Sequence, residues 1–284
     1  MTPELTGVLG GGRMGVGIAH AFLLAGGTVR LAEVDAGTAE AARARVARAV
    51  EASAERGKLG APVPDVLARL EATVGPDSLA GCDLVIEAVP EDPALKARVL
   101  GALSAALSPD ATIATNTSSL SVGELANAID RPERFLGLHF FNPVPASALV
   151  EIVTGERTAP GLADRAGDWV RALGKTPIVV RDSPGFASSR LGVALGLEAI
   201  RMVAEGVASP EDIDAAMTLG YKHPVGPLRL TDLVGLDVRL GIAEYLASTL
   251  GERFAPPALL REKVARGELG RKSGRGFYSW DDTP

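Results

Sequence analysis

Cysteine is nearly absent: Cys82 is the single one in 284 residues. That excludes a disulfide framework and a cysteine-based zinc site, and it fits a reducing, cytoplasmic setting. No other metal site is expected. Long apolar runs are also missing. None reaches the ~18 residues of a membrane-spanning helix, so no membrane partner is expected. The opening stretch MTPELTGVLG has no basic region followed by an apolar one, so no signal peptide is expected. Positive charge is in deficit, with 29 Lys and Arg against 35 Asp and Glu for a net charge of −6. A nucleic-acid coat is therefore not expected, although a local basic patch could survive. What is present, 46% apolar and 23% charged residues, belongs to a globular chain and excludes a disordered one. The 33 Gly and 19 Pro follow no Gly-X-Y period and are read as turn residues. The length suits about two domains of ~150 residues.

An apolar strand at residues 6–9 runs into Gly10-Gly11-Gly12-Arg13-Met14-Gly15. A helix follows, with Met14, Ile18, Ala21, Phe22 and Ala25 at three- and four-residue spacing, and stops at Gly26-Gly27. A second strand at 29–32 ends at Glu33. This is a βαβ unit and implies a parallel sheet. A helix over 38–56, strands at 69–74 and 83–89, a helix over 93–107 and a strand at 112–115 continue the alternation. Strands at 136–140, 149–153 and 178–180 complete the sheet. Beyond Asp182-Ser183-Pro184-Gly185 strand signals nearly vanish. Helices are expected over 186–205, from Ser209-Pro210, over 228–250 and over 257–266. The fold class is thus α/β, a doubly wound and mostly parallel sheet over 1–183, followed by a smaller all-α domain over 184–284.

The spacing Gly10-x-Gly12-x-x-Gly15 between a strand and a helix has a physical logic. The first glycine permits the tight turn, the second lets backbone approach a pyrophosphate, and the third packs helix on strand. The free N–H groups of the helix start then face the phosphates. Glu33 ends the second strand, 18 residues beyond Gly15. There an acid takes the ribose hydroxyls of NAD and repels the 2′-phosphate of NADP. The alternatives are a glycine-rich loop without a ligand and a solvated acid.

Of the three histidines, His20 lies mid-helix as a packing or surface residue, and His223 lies in a turn with a structural reading favoured. His139 ends a strand beside Phe140-Phe141-Asn142-Pro143, where ligands of open α/β sheets bind. Glu151 lies inside the apolar Leu149-Val150-Glu151-Ile152-Val153. A carboxylate there is costly unless paired. A pair with His139 would satisfy it, hold the imidazole tautomer and raise its basicity. The bland alternative is a satisfied strand-end histidine.

Ordered motifs then extend along the whole chain: GGGRMGVGIA at 10–19, DLVIEA at 83–88, NTSSL at 116–120 and LHFFNPVP at 138–145. SPGF at 183–186, EDID at 211–214, GPL at 226–228 with GLD at 235–237, and GRKSGRGFY at 270–278 follow. With these the sequence resembles the 3-hydroxyacyl-CoA dehydrogenase family, including short-chain 3-hydroxybutyryl-CoA dehydrogenases. The resemblance implies a Rossmann-like NAD domain, a helical substrate and dimerisation domain forming a homodimer, and an active site in the cleft, working on acyl thioesters of fatty-acid metabolism. It also implies His139 as catalytic base, Glu151 as its partner, and Ser118 as a serine meeting substrate and cofactor. Cofactor contacts are implied at Gly10, Gly12, Arg13, Met14, Gly15, Glu33, Ala88, Glu91, Lys96, Asn116, Asn142 and Lys272.

Three departures from the family pattern stand out. Ser189 replaces an active-site asparagine in Pro184-Gly185-Phe186-Ala187-Ser188-Ser189-Arg190, offering one hydroxyl for an amide, with room for a bridging water. Ala148 replaces a lysine. Glu51, Ala52 and Glu55 fall where the family places a serine and lysines for CoA, leaving Arg45, Arg48, Arg56 and Lys58 as substitutes; Arg48 and Lys58 are taken as substrate contacts. Short-chain 3-hydroxyacyl-CoA is the expected substrate. A hydroxyacyl group on an acyl carrier protein, a small polar hydroxy acid, and a non-catalytic crystallin-like role are the alternatives.

Overall fold

The computed structural model describes residues 2–280. The chain divides between Asp182 and Ser183 into two compact units. The first contains β1 (Leu5–Leu9), α1 (Arg13–Leu24), β2 (Thr28–Glu33), α2 (Ala36–Glu55), α3 (Val63–Leu67), β3 (Leu70–Val74) and β4 (Leu84–Glu87). It continues with α4 (Pro93–Ala106), β5 (Thr112–Thr115), α5 (Val122–Leu125), β6 (Phe135–Phe140), β7 (Leu149–Thr154), α6 (Leu162–Ala172) and β8 (Thr176–Arg181). All eight strands form one sheet in the order β3-β2-β1-β4-β5-β6-β7-β8. Strands β1 to β6 are parallel, β7 pairs antiparallel with β6, and β8 runs parallel to β7.

The mostly parallel, doubly wound sheet expected from the sequence is therefore present. Every residue of β4, β5 and β6 is buried, as strands covered on both faces must be. Pro177 sits in β8 at the sheet edge, where its missing N–H costs no ladder bond. The strand order reverses between β1 and β4, and the crevice outside the carboxyl ends of the strands at such a point is where ligands bind in open sheets.

Local chemistry explains the element ends. The Asp35 side chain accepts from Thr38 N and the Thr38 hydroxyl answers, a capping box that starts α2. Ala39, Ala42, Val46 and Val50 then form its buried stripe. The strand expected over 83–89 stops at Glu87, because the Val89 N–H turns back to the Glu87 carboxylate at 2.7 Å. Helix α6 was not anticipated. It starts at Gly161 with no side-chain cap and buries Leu162, Ala166, Trp169 and Val170.

The second unit contains α7 (Ser188–Ala204), α8 (Pro210–Ala215), α9 (Pro227–Val234), α10 (Leu236–Leu250) and α11 (Ala258–Ala265). The single helix expected over 228–250 is corrected to two. Gly235 has φ 107°, a conformation that a helix cannot contain and that favours glycine. The helix expected from 186 begins at Ser188, since Gly185 (φ 74°) and Phe186 (φ 50°) are left-handed. Leu228, Leu236, Leu246 and Leu260 are fully buried here, each worth about 1.5–3 kcal/mol over exposure. Asp232 ties α9 to the last described residues, accepting from Phe277 N, Tyr278 N and Trp280 Nε1 at 2.8–2.9 Å.

Candidate active site

The glycine turn sits where β1 meets α1. Gly10 has φ 99°, and its N–H donates to Ala32 O at 2.9 Å. A Cβ on Gly15 would lie 1.8 Å from Gly10 O, whereas one on Gly12 would meet nothing within 4 Å. The third glycine thus packs the turn and the second leaves room above it. No side chain caps the start of α1 and no acid lies in its first turn, so its N–H groups and positive dipole end suit an anion. Arg13 begins the helix exposed, and Met14 is half-buried against the core. Glu33 Oε1 accepts from Gly11 N at 2.8 Å, which holds its carboxylate at the turn. Arg45, considered above as a CoA contact, instead donates to Gly11 O at 2.8 Å. One glycine is thereby gripped at both ends, and Arg45 has a backbone role. These donors and this open glycine fit a dinucleotide.

The carboxyl ends of β4 and β5 carry a second group. Glu87 is in register with Leu9 on one side and Thr115 on the other. Its side chain is fully buried and accepts from Lys96 Nζ, Val89 N and Thr115 Oγ1, each at 2.7 Å. Lys96 is 1% exposed and also reaches Val89 O at 3.2 Å and Glu91 Oε2 at 3.3 Å. Expected as a direct cofactor contact, Lys96 lies under the loop with its donors taken by protein oxygens. Glu91 Oε1 accepts from Thr117 Oγ1 (2.6 Å), Ser118 N (2.8 Å) and Ser118 Oγ (3.1 Å). Ala88 donates its N–H to Leu9 O at 2.8 Å. Asn116 Oδ1 accepts from Phe140 N at 2.9 Å and so ties the ends of β5 and β6 together.

His139 and Glu151 stand opposite one another in the antiparallel β6–β7 pair. Opposed side chains on one face lie close enough to touch, and His139 Nδ1 is 2.7 Å from Glu151 Oε2. The histidine is 6% exposed and the glutamate fully buried. An ionised carboxylate only accepts, so Nδ1 carries the proton and the lone pair of a neutral ring lies on Nε2. The Phe141 ring centroid is 4.3 Å from that of the imidazole. Asn142 follows in the exposed loop.

Arg48 is exposed on α2, and Lys58 is exposed just beyond its end. Ser189 occupies the first turn of α7 in the second unit. Lys272 lies in that unit too, with its Nζ 2.6 Å from Asp237 Oδ2. His20 is buried and shares a 2.9 Å hydrogen bond between its Nε2 and Ser53 Oγ; burial pulls its pKa below the ordinary value. Glu87, Thr115 and Thr117 were not singled out from the sequence. The cost of a carboxylate in an apolar strand, the signal that marked Glu151, would have found Glu87 as well.

Two family models match the chain: "3-hydroxyacyl-CoA dehydrogenase, NAD binding domain" over residues 5–183, and "3-hydroxyacyl-CoA dehydrogenase, C-terminal domain" over 185–280. A 3-hydroxybutyryl-CoA dehydrogenase of Mycobacterium tuberculosis is 42% identical over 281 residues, covering 98% of each chain. One of Bradyrhizobium diazoefficiens is also 42% identical, covering 96% of this chain and 94% of its own. The solved structure of (S)-3-hydroxybutyryl-CoA dehydrogenase from Ralstonia eutropha superposes with a TM-score of 0.92 at 39% identity, covering 98% of this chain and 99% of the other. Agreement of this extent across both units makes the chain a member of the 3-hydroxyacyl-CoA dehydrogenase family, NAD-dependent oxidoreductases acting on a CH–OH group.

Proposed function

We propose that the chain interconverts short-chain 3-hydroxyacyl-CoA and 3-oxoacyl-CoA with NAD, in the cytoplasm and within fatty-acid metabolism. The observation that carries this reading is the 2.7 Å His139–Glu151 pair, with His139 near the carboxyl end of β6 in the same sheet whose β1 and β2 end at the glycine turn and Glu33. The dinucleotide is assigned to Gly10, Gly12, Arg13, Met14, Gly15, Glu33, Ala88, Glu91, Asn116, Asn142 and Lys272. When bound, the nicotinamide supplies the acceptor or donor for hydride.

His139 Nε2 takes the proton from the substrate hydroxyl as hydride leaves the same carbon. Glu151 accepts from Nδ1–H throughout and stabilises the imidazolium that forms. In reverse, the imidazolium returns the proton to the developing alkoxide. Such acid–base help is worth ~10²–10⁴ in rate. Ser118 is assigned to the substrate and nicotinamide, and Ser189 to the position of the family asparagine.

Arg48 and Lys58 remain the proposed CoA contacts. Engagement of Arg45 with Gly11, and the exposed Glu51 and Glu55 on the same helix, weaken a phosphate contact there; a carrier-protein thioester or a small polar hydroxy acid is the second reading. NADH-dependent turnover of acetoacetyl-CoA tests the first reading, beside pantetheine and carrier-protein thioesters. Turnover best on CoA supports it; better turnover on a carrier-protein thioester promotes the second, and no turnover on any of them overturns every thioester reading. A homodimer through the second unit is proposed as well. Leu191 of α7, Leu230, Leu233 and Val234 of α9 and Val238 of α10 are all at least 36% exposed, an apolar surface of the kind that marks an interface.

A further inference from the structure

We propose that Glu87 and Lys96 are positioning residues that act through Glu91, holding the Ser118 hydroxyl as a hydrogen-bond acceptor toward the bound ligand. This rests on the assignment of Ser118 to substrate and nicotinamide given above. The ligand group facing Ser118 is then a donor, an alcohol O–H or a carboxamide N–H.

The argument starts with burial. Glu87 is fully buried and Lys96 1% exposed, at the point where the strand order reverses. Taking two charges out of water costs several kcal/mol per ion, and apolar residues of similar volume are often as stabilising. Stability alone does not account for the pair. Its contacts run to the active-site loop by two routes. In one, Lys96 divides its three donors among Glu87, Val89 O and Glu91. Glu91 is 38% exposed; Thr117 and Ser118 hold its Oε1, and Lys96 holds its Oε2 at 3.3 Å, which fixes the plane of the carboxylate. In the other, the Thr115 hydroxyl donates to Glu87 at 2.7 Å and accepts from Thr117 N at 3.3 Å. Both routes end at the 117–118 backbone.

The direction of the last bond follows from chemistry. An ionised carboxylate has no proton to give, so the Ser118 hydroxyl donates to Glu91 Oε1 at 3.1 Å. Its proton is committed and its lone pairs are left for the ligand. Without Lys96 the Oε2 anchor is lost and the carboxylate plane turns about Oε1; the longest bond there, from the Ser118 hydroxyl at 3.1 Å, is released, and that hydroxyl points its proton at the ligand instead.

Double-variant cycles test this. Glu87→Gln or Lys96→Met alone leaves a buried charge with a lost partner and lowers Tm. Glu87→Gln with Lys96→Met removes both charges and restores Tm toward the parent. Loss of one charge-assisted hydrogen bond is worth ~10–100-fold in kcat/KM for the oxidation of 3-hydroxybutyryl-CoA with NAD, and that loss is expected in the double variant. Adding Ser118→Ala to it is expected to cost nothing further, since both changes remove the same contact. NADH binding, followed by fluorescence titration, should show the same non-additivity. Thr117→Val, which cuts one bond to Glu91 without touching the buried charges, should also be non-additive with Ser118→Ala and serves if the double variant does not fold. A double variant with parental kcat/KM, or losses that multiply with Ser118→Ala, would overturn the proposal. A parent enzyme inert on every thioester sinks the substrate assignment instead, and the NADH titrations still read the relay.

Discussion

His139 pairs with Glu151 through Nδ1, so the chemistry proposed above is assigned to Nε2. His139→Gln keeps size and hydrogen bonding but cannot take a proton at neutral pH. We expect kcat to fall by ~10²–10⁴ with NADH affinity little changed, because the change removes an interaction of the transition state. Near-parental kcat would show that the base lies elsewhere. Glu151→Gln should lose less, since it keeps an acceptor and forfeits the charge. Glu33 governs the cofactor in the same local way. A 2′-phosphate near its carboxylate, at ~6 Å and an effective dielectric of ~20, meets roughly 2–3 kcal/mol of repulsion, or about a hundredfold. The kcat/KM for NADH should therefore exceed that for NADPH, and Glu33→Ala should narrow the gap; equal efficiency in the parent would refute this assignment.

Two buried aspartates tie helix starts and chain ends together in the second unit. Asp214 accepts from the first N–H groups of α9, at Leu228 and Arg229, and from the Tyr278 hydroxyl. Asp232, 1% exposed, takes three donors from residues 277–280. Asp232→Ala leaves those three without their acceptor, at about 1–3 kcal/mol for each group that water cannot reach. We expect at least ~3 kcal/mol of lost stability. The chain has two tryptophans, Trp169 in α6 and Trp280 bonded to Asp232. In a Trp169→Phe background, urea unfolding followed by fluorescence reads the second unit. An unchanged midpoint in Asp232→Ala would show that the aspartate contributes nothing net.

For the molecule as a whole, acid sensitivity is built into its first helical layer. His20 sits buried on α1, and desolvation, aided by the Lys175 charge, pulls its pKa below the ordinary value. The unfolded chain then binds the proton more readily than the folded one. Stability is full above the unfolded value near 6.5 and falls as pH drops below it toward the folded pKa. Tm should drop between pH 7.5 and 5.5 by more in the parent than in His20→Gln; parallel profiles would exclude His20 as the source. Assembly is the other property at this scale. A chain of 29.3 kDa with Leu191 71% exposed should give twice its own mass by light scattering at micromolar concentration. A monomeric mass would contradict the proposed dimer.

Short-range signals determined much by themselves. The glycine spacing gave the turn, apolar runs with polar breaks gave β4 to β6, and the cost of a lone carboxylate in an apolar strand pointed from Glu151 to His139. All of these act within a turn, a strand or one hairpin, so the residue order carries them. Tertiary structure alone decided what bridges long separations. Arg45 reaches Gly11 from 34 residues away, and Thr115 meets Glu87 across 28. Such bonds form because a helix packs beside the glycine turn and parallel strands distant in sequence end side by side, and no periodicity records them. The break at Gly235 and the burial of Lys96 belong here too. A glycine inside an apolar helical pattern is silent until packing demands φ 107°, and nothing in the residue order buries the Lys96 ammonium against the Glu87 carboxylate.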